Sequence, residues 1–260
     1  MTRLKGLEKI TEFLKVVFAS GNIDEKPLSL ILVAPVSSGK TTTIKQFQGN
    51  KSILITTDST AWGILSKYQN KLVSNELKHI IIPDLHSALA RRKTTADQLI
   101  LFINNTSEDG LFPSMTYGMT INEFIKPFGW VLCLTTDGFN RKYKFLKEIG
   151  FISRFLVIKY KYSFEIIQDI LKDIINENSK EPDIIKLKFK KKKVKIKGNK
   201  EIFEELVPYA KLMCKDSDSE ILRMQKKLQT FLKSCAYLRK DNQVKKQDLI
   251  KLQGVIDLIS

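Results

Sequence analysis

The chain has 260 residues and a formal net charge of +16, since 44 lysine and arginine residues outnumber 28 aspartate and glutamate residues. This length accommodates one domain of ordinary size and a smaller second one, and the 43% hydrophobic content is that of a soluble globular protein. The excess of positive charge indicates a polyanionic partner, most simply nucleic acid, although a lysine-rich proteome would produce the same balance.

The cysteines and the amino-terminal segment exclude several classes of protein. Cys133, Cys214 and Cys235 lack C-x-x-C spacing, so neither a zinc site nor a disulfide framework is indicated. Charged residues interrupt residues 1–20, and no long apolar span follows. We therefore expect a cytoplasmic protein that has no membrane partner.

The first predicted elements are an amphipathic helix and a buried strand. The apolar run at 30–33 is typical of a strand buried on both faces, and a helix-compatible pattern begins at Thr42. Residues 34–41 therefore form the turn between strand and helix. The helix before the strand is predicted from apolar residues at helical spacing, which are Leu4, Leu7, Ile10, Phe13, Leu14, Val17 and Phe18.

The turn at 34–41 has the pattern of a phosphate-binding loop. It resembles G-x-x-x-x-G-K-[ST], with Ala34 at the first glycine position and Gly39 beside the lysine. Its backbone N–H groups would cradle a phosphate, Lys40 would reach the β- and γ-phosphates, and the Thr41 hydroxyl would ligate Mg²⁺. We therefore predict that ATP and Mg²⁺ bind here, through Pro35, Val36, Ser37, Ser38, Gly39, Lys40, Thr41 and Thr42.

The next predicted strands supply a carboxylate for the same site. A strand at 52–56 and a helix at 62–68 precede a strand at 79–82, which leads to Asp84. An aspartate after an apolar strand is the usual partner of a phosphate loop, so Asp84 would support Mg²⁺ through water.

The residue after Asp84 departs from the usual pattern of such ATPases. Leu85 stands where a glutamate normally orients the attacking water. Either hydrolysis is slow, or another carboxylate substitutes. Asp58, at the end of the preceding strand, is the first candidate for that role, with a cap or turn as the alternative.

A further polar strand end and an arginine complete the predicted site. A helix at 94–104 and a hairpin or insert at 111–120 lead to a strand at 130–134. Thr136 after this strand would sense the γ-phosphate, with Thr135 as the alternative.

Arg154 precedes the last predicted strand of the sheet, at 155–159. From the rim of the domain it could reach the γ-phosphate of a neighbouring subunit as an arginine finger. This position predicts a homo-oligomer.

A lysine-rich segment follows an amphipathic helix predicted at 163–178. Around 183–198, apolar residues alternate with lysines, and this period of two predicts a hairpin with one apolar and one basic face. A basic ribbon suits sequence-independent contact with a DNA backbone, whereas edge lysines that block aggregation are the alternative. The predicted DNA-binding residues are Lys188, Lys190, Lys191, Lys192, Lys193 and Lys195.

The order of these parts resembles the AAA+ ATPase family. More narrowly, it resembles the minichromosome-maintenance-like ATPases of phages, plasmids and other mobile elements, from about Leu4 to Ile259. The resemblance implies a ring or filament that couples ATP to work on DNA. It also implies roles for matching residues: Lys40 and Thr41 for phosphate and metal, Asp84 for metal, Thr136 as first sensor, and Arg154 as finger.

The carboxyl-terminal part resembles the helical lid of the same family. Helices are predicted at 202–213, 219–239 and 246–259. An arginine at the start of the long lid helix touches the γ-phosphate in that family, and Arg223 matches it, with a plain surface arginine as the alternative. Helicase relatives carry DNA-contacting hairpins where this chain has the insert that includes Tyr117 and Lys126, but a structural insert is an equal alternative.

These expectations combine into one architecture and three functions. We predict an α/β nucleotide-binding domain with a parallel sheet flanked by helices at 1–162, and a mainly helical lid at 163–260. The first function is an oligomeric ATPase that acts on DNA as a helicase or loader. The second is an assembly switch with little hydrolysis that binds DNA and recruits a protein partner, which Leu85 favours. The third is a protein remodeller, for which the lysines are incidental.

Overall fold

The computed structural model describes residues 5–57, 59–116, 119–176, 183–189, 193–214 and 218–259. Its main sheet has five parallel strands in the order β2-β3-β6-β1-β7, and β4 pairs with β5 in a separate antiparallel hairpin. The strands are β1 Leu30–Ala34, β2 Ile53–Ile55, β3 His79–Ile82, β4 Ser114–Thr116, β5 Met119–Ile121, β6 Gly129–Thr135 and β7 Leu156–Lys159.

Helices flank this sheet, so the predicted α/β class with a parallel sheet is confirmed. A short 3₁₀ turn at Ile152–Arg154 precedes β7. The helices are α1 Glu8–Ser20, α2 Lys40–Lys45, α3 Ala61–Val73, α4 Leu85–Leu89, α5 Lys93–Glu108, α6 Thr136–Glu148, α7 Phe164–Ile175, α8 Lys200–Glu204, α9 Val207–Met213, α10 Asp218–Leu238 and α11 Lys246–Ile256.

Strand β1 lies inside the sheet and is buried along its whole length, as its apolar run predicts. It pairs with β6 on one edge and β7 on the other. Strand β6 in turn separates β1 from β3. Because all these strands are parallel, the residues that follow β1, β6 and β3 share the carboxyl edge of the sheet.

Two hydrophobic clusters cover the two faces of the sheet. Alternate residues of β1 divide between them, with Leu30 and Leu32 in one cluster and Ile31 and Val33 in the other. The first cluster also contains residues of α1, α10 and α11, and the rings of Phe13 and Phe231 lie 4.9 Å apart across the α1–α10 contact. The second contains residues of α3, α5 and α6. The carboxyl-terminal helices α10 and α11 therefore pack in the same cluster as α1.

The lysine-rich segment does not form the predicted hairpin in the part of it that the structure describes. Residues 183–189 and 193–198, which we call the lysine strap, hydrogen-bond to other segments instead of to each other. The Ile185 N–H donates to the Gln46 carbonyl at 2.6 Å, the Val194 N–H to the Asn22 carbonyl at 2.9 Å, and the Lys197 N–H to the Asn242 carbonyl at 2.7 Å. The backbone partners of the strap thus lie on three different loops.

The two faces predicted for this segment are nevertheless present. Ile185, Leu187 and Ile196 pack toward the first cluster, while Lys188 and Lys195 are exposed. The lysines at the predicted centre, Lys190, Lys191 and Lys192, lie outside the described residues.

Helix α7 forms within the range predicted for it. Its apolar face is largely exposed, with Phe164 at 69% and Ile175 at 78%, although Lys5 pairs with Asp173 at 2.6 Å.

The insert between β3 and β6 contains the hairpin β4–β5, whereas the tip of the hairpin, with Tyr117, lies outside the described residues. Lys126 follows the hairpin and is exposed.

The amino end of β6 yields a stability prediction. A Cβ at Gly129 would lie 2.3 Å from His79 Cδ2 and 2.6 Å from the Leu28 carbonyl oxygen. Because the backbone at Leu28 cannot move away freely, we expect Gly129→Ala to lower the free energy of unfolding by about 1–3 kcal/mol. Urea denaturation would measure the loss.

Gly254→Ala is the matched control for this substitution. Gly254 lies within α11, and a Cβ there would have no neighbour within 4 Å. We expect this change to leave stability unchanged or raise it by up to about 1 kcal/mol. Equal effects of the two substitutions would contradict the close packing at Gly129.

Candidate functional site

The predicted phosphate loop connects β1 to α2 and contains two left-handed residues. Ser37 has a φ of 58° and Gly39 a φ of 76°. A Cβ at Gly39 would lie 2.7 Å from the Tyr162 hydroxyl and 2.8 Å from Leu7 Cδ1. Position 39 therefore requires glycine both for its backbone angle and for the space around it. Of the other predicted loop residues, Ser38 is buried, while Pro35 and Val36 are exposed.

Lys40 lies at the first position of α2 and folds back over the loop. Its ammonium donates to the Ala34 carbonyl at 2.7 Å and to the Pro35 carbonyl at 2.6 Å, and the Ser38 hydroxyl is 3.2 Å away. Burial lowers the pKa of Lys40, and the charge of Asp84 acts in the opposite direction. The lysine is thus held by weak carbonyl acceptors that an anionic ligand can replace.

Two tyrosines after β7 brace the loop, and sequence reasoning missed both. The Tyr160 hydroxyl donates to the Ser38 carbonyl at 3.0 Å, and burial raises the pKa of Tyr160. The Tyr162 hydroxyl lies over Gly39. Their contact with the loop follows from the pairing of β7 with β1, for which the sequence around Tyr160 carries no signal.

The predicted metal residues both lie at the carboxyl edge, after β1 and β3, which β6 separates. Asp84 follows β3 and caps α4, since its Oδ1 accepts from the Ser87 N–H at 3.2 Å. Thr41 lies in the first turn of α2, and both residues are exposed. A cavity of about 400 Å³ lies mainly between α2 and β2 and reaches the carboxyl edge at Thr41, Thr57 and Pro83; its lining does not include Lys40 or Asp84.

Leu85 is fully buried in the second cluster, with 0% exposure. A side chain at this position points into the core, so it does not face the carboxyl edge as a water-orienting carboxylate must. The strand arrangement assumed for the substitute Asp58 is confirmed, because β2 pairs with β3. Asp58 itself lies outside the described residues.

The two threonines after β6 have different surroundings. Thr135 is the register partner of Ala34, and its hydroxyl accepts from the Gly138 N–H at 3.1 Å as the amino-terminal cap of α6. Thr136 is half-buried at the first position of the helix. As predicted, both lie between β1 and β3, and Thr135 is the one already engaged as a cap.

Arg154 and Arg223 are not brought to the phosphate loop. Arg154 precedes β7, so it lies at the amino edge of the sheet. Arg223, in α10, donates to the Ser153 hydroxyl at 2.9 Å, and both arginines pair with Glu108. Arg223 was expected to touch the γ-phosphate, and the packing of α10 on α1 directs it to the edge of the sheet opposite to the phosphate loop of its own chain.

A basic cavity of about 260 Å³ surrounds these arginines. The Lys227 ammonium donates to the Ser153 carbonyl at 2.6 Å and the Phe155 carbonyl at 2.9 Å, so it fastens the turn that carries Arg154 to α10. The charged residues that line the cavity are Lys26, Glu108, Arg154, Arg223, Lys226 and Lys227.

The predicted DNA-binding lysines fall into three groups. Lys188 and Lys195 are exposed on the strap. Lys193 donates to the Glu25 carbonyl at 3.3 Å, and burial lowers its pKa, so this lysine is less available to a ligand. Lys190, Lys191 and Lys192 lie outside the described residues.

Comparisons with known proteins add no identity, since no family model matches the sequence and no curated protein matches it. Within the described ranges, no group of three or more His, Cys, Asp and Glu side chains is arranged to hold a metal ion. None of the helices in those ranges is both long and apolar enough for a membrane span.

Lys227 should make the free energy of unfolding of the chain depend on pH. Burial lowers its pKa from 10.5 to about 7, so between these values the unfolded chain holds a proton that the folded chain has lost. The free energy of unfolding should therefore rise with pH across this window, and this contribution should be lost as the pH falls toward 7. We expect Lys227→Met to reduce the rise, as measured by chemical denaturation at several pH values.

The exposed neighbour Lys226 provides the control for this prediction. Lys226→Met should retain the rise seen in the wild-type chain. An identical pH dependence in the wild type and in Lys227→Met would show that the ammonium of Lys227 does not lose its proton in the folded state.

Proposed function

We propose that the chain is an AAA+-like ATPase that binds ATP with Mg²⁺ at the loop between β1 and α2, assembles with further copies of itself and acts on DNA. One observation carries the nucleotide site. Gly39 is left-handed and closely packed in the loop after the buried strand β1, and it precedes Lys40, whose ammonium donates to the loop carbonyls. Such a loop with a lysine suits a phosphate ligand.

The residues at the carboxyl edge have separate roles in the binding of ATP and Mg²⁺. Lys40 binds the β- and γ-phosphates, and Thr136 senses the γ-phosphate, a role supported by its position after β6, the strand that pairs with β1. Mg²⁺ would be held by Thr41 and Asp84 together with phosphate oxygens, since this ion is commonly bound through one or two carboxylates and its substrate. The bound ion would supply charge stabilisation at the phosphates.

The arginines at the amino edge support assembly. Arg154 and Arg223 lie at the end of the sheet opposite to the phosphate loop, so a γ-phosphate that they contact belongs to another subunit. An arginine supplied in this way accelerates phosphoryl transfer by about 10³–10⁵-fold. We therefore propose a ring or filament in which the amino edge of one copy completes the site of the next.

The second candidate function is an ATP-dependent assembly switch that binds DNA and recruits a protein partner with little hydrolysis. The burial of Leu85 favours it, because the position that usually supplies the water-orienting carboxylate belongs to the core. DNA binding itself is common to both candidates. It is supported by the net charge of +16 and by the exposed lysines of the strap.

The nucleotide site is tested with Lys40→Ala. We expect the wild-type chain to bind a fluorescent ATP analogue and the variant to lose this binding, because no other described ammonium lies within the loop. Lys51→Ala, a change at an exposed lysine after α2, should bind normally. Unchanged ATP affinity in Lys40→Ala would refute the proposed site.

Turnover with and without DNA separates the two candidates. An ATPase that works on DNA should hydrolyse ATP faster when single- or double-stranded DNA is present, and Lys40→Ala should abolish this activity. ATP-dependent assembly without turnover would favour the switch. ATP turnover without any DNA affinity would instead indicate a protein remodeller.

The lysine strap is tested through the salt dependence of DNA binding. Each phosphate contact with duplex DNA contributes about 0.9 to the slope of log K against log salt. Replacing both Lys188 and Lys195 by alanine should therefore lower the slope by about two, equally for unrelated DNA sequences. Fluorescence anisotropy at several salt concentrations measures it.

Lys200→Ala is the control for the strap. The Lys200 side chain is 91% exposed but lies 3.9 Å from Glu204, on α8. We expect this variant to keep the wild-type slope. A slope that is the same in the double variant and in the wild type would show that DNA binds elsewhere.

A further inference from the structure

Glu108, the last residue of α5, lies between the two arginines of the amino edge. Its Oε2 is 3.0 Å from Arg154 Nε, and its Oε1 is 3.4 Å from Arg223 Nε. One carboxylate thus pairs with both guanidinium groups, one oxygen to each. The Glu108 and Arg154 side chains are mostly buried, at 26% and 21% exposure, and Arg223 is more open at 41%.

The Nη1 atoms of both arginines donate hydrogen bonds to the turn before β7. Arg154 Nη1 donates to the Gly150 carbonyl, and Arg223 Nη1 donates to the Ser153 hydroxyl at 2.9 Å. Each arginine therefore has Nε as the atom nearest Glu108 and donates through Nη1 to the turn before β7; the Arg154 Nε is buried and makes no hydrogen bond among the described residues, so its pairing with Glu108 is electrostatic. Within the part of the chain that the structure describes, Nη2 of each arginine has no hydrogen-bond partner.

We propose that Glu108 is a positioning residue, which holds Arg154 and Arg223 side by side as a fork for one phosphoryl group. The inference rests on the proposed function, because the phosphoryl group is the γ-phosphate of ATP bound by a second copy of this chain. Glu108 does not touch that phosphate. It fixes the spacing of the two guanidinium groups and leaves their Nη2 donors for the ligand.

The charges around the fork fit an anion of this class. Lys26 and Lys226 line the same cavity, and Glu108 is the one carboxylate among its lining residues, whereas Lys227 is already engaged with the Ser153 and Phe155 carbonyls. Two adjacent guanidinium groups repel each other unless a carboxylate lies between them. A neutral residue at 108 would let the arginines separate and would misplace the fork, without removing either arginine.

Glu108→Gln is the informative substitution. It keeps the size of the side chain, but its amide can accept from only one arginine and presents N–H groups to the other. Asp97→Asn, at an exposed carboxylate on the same helix α5, is the matched control. Thermal unfolding and binding of a fluorescent ATP analogue would establish that both variants are folded with an intact phosphate loop.

A mixing experiment isolates the effect of Glu108 on a neighbouring subunit. Acceptor subunits carry Arg154→Ala, so their phosphate loop is intact and their fork is broken. Donor subunits carry Lys40→Ala, so they cannot bind ATP but keep the fork. Mixing the two should restore ATP turnover and ATP-dependent self-association.

Donors that carry both Lys40→Ala and Glu108→Gln should restore about one tenth of this turnover or less, because a small displacement of a catalytic group has an effect of that size. They should also give less self-association at a given protein concentration. Donors with Lys40→Ala and Asp97→Asn should act like the Lys40→Ala donor. If the chain hydrolyses ATP slowly, the extent of self-association still distinguishes the Glu108→Gln donor from the other donors.

The outcomes separate the inference from the proposed function. Equal activity of the Glu108→Gln donor and its parent in both readouts would overturn the positioning role alone. If Lys40→Ala donors restore neither readout while the wild-type chain binds ATP, the fork has a different ligand, and the inference fails while the nucleotide site stands. If the wild-type chain does not bind ATP, both are overturned.

Discussion

The burial of strand β1 is the constraint on which the rest of the structure depends. It is paired along both edges and covered on both faces, so its carboxyl end has little freedom. The loop that follows is therefore presented at a fixed place, where Tyr160, after β7, donates to the Ser38 carbonyl and the Tyr162 hydroxyl lies close to Gly39. A rigid strand below and hydroxyl groups above keep a strained left-handed loop in one conformation. Such rigidity suits the phosphate ligand that we propose for this loop.

The parallel sheet gives the molecule two chemically different edges. The loop with Lys40, the threonines after β6 and Asp84 lie at the carboxyl edge, whereas the arginines and Glu108 lie at the amino edge. One chain cannot bring these groups to a single ligand, because the length of the strands separates them. The contact of Phe13 with Phe231 and the hydrogen bonds of Lys227 hold α10 at the amino edge, so the packing of the carboxyl-terminal helices decides the position of Arg223.

The lysine strap shows which structural features a local sequence pattern predicts and which it does not. A period of two determines which side chains share a face, and the apolar side chains of the strap do pack toward the core while Lys188 and Lys195 remain exposed. The same pattern does not specify which backbone groups pair with the segment. Loops near Asn22, Gln46 and Asn242 provide these partners, where a hairpin was expected. Helix α7 is a similar case, since its amphipathic pattern predicted the helix but not the exposure of its apolar face.

The sequence by itself determined the five strands of the main sheet, the long helices α1, α3, α5, α7, α10 and α11, the buried character of β1, and the loop with Gly39 and Lys40, because these depend on periodicity and on residues close together in the chain. The tertiary structure alone decided that Leu85 faces the core, that Tyr160 reaches Ser38, and that Arg223 joins Arg154 at Glu108. Each of these contacts joins residues on different elements or depends on which face of an element is covered. Such contacts are set by how helices pack on a sheet, and no spacing in a single sequence records them.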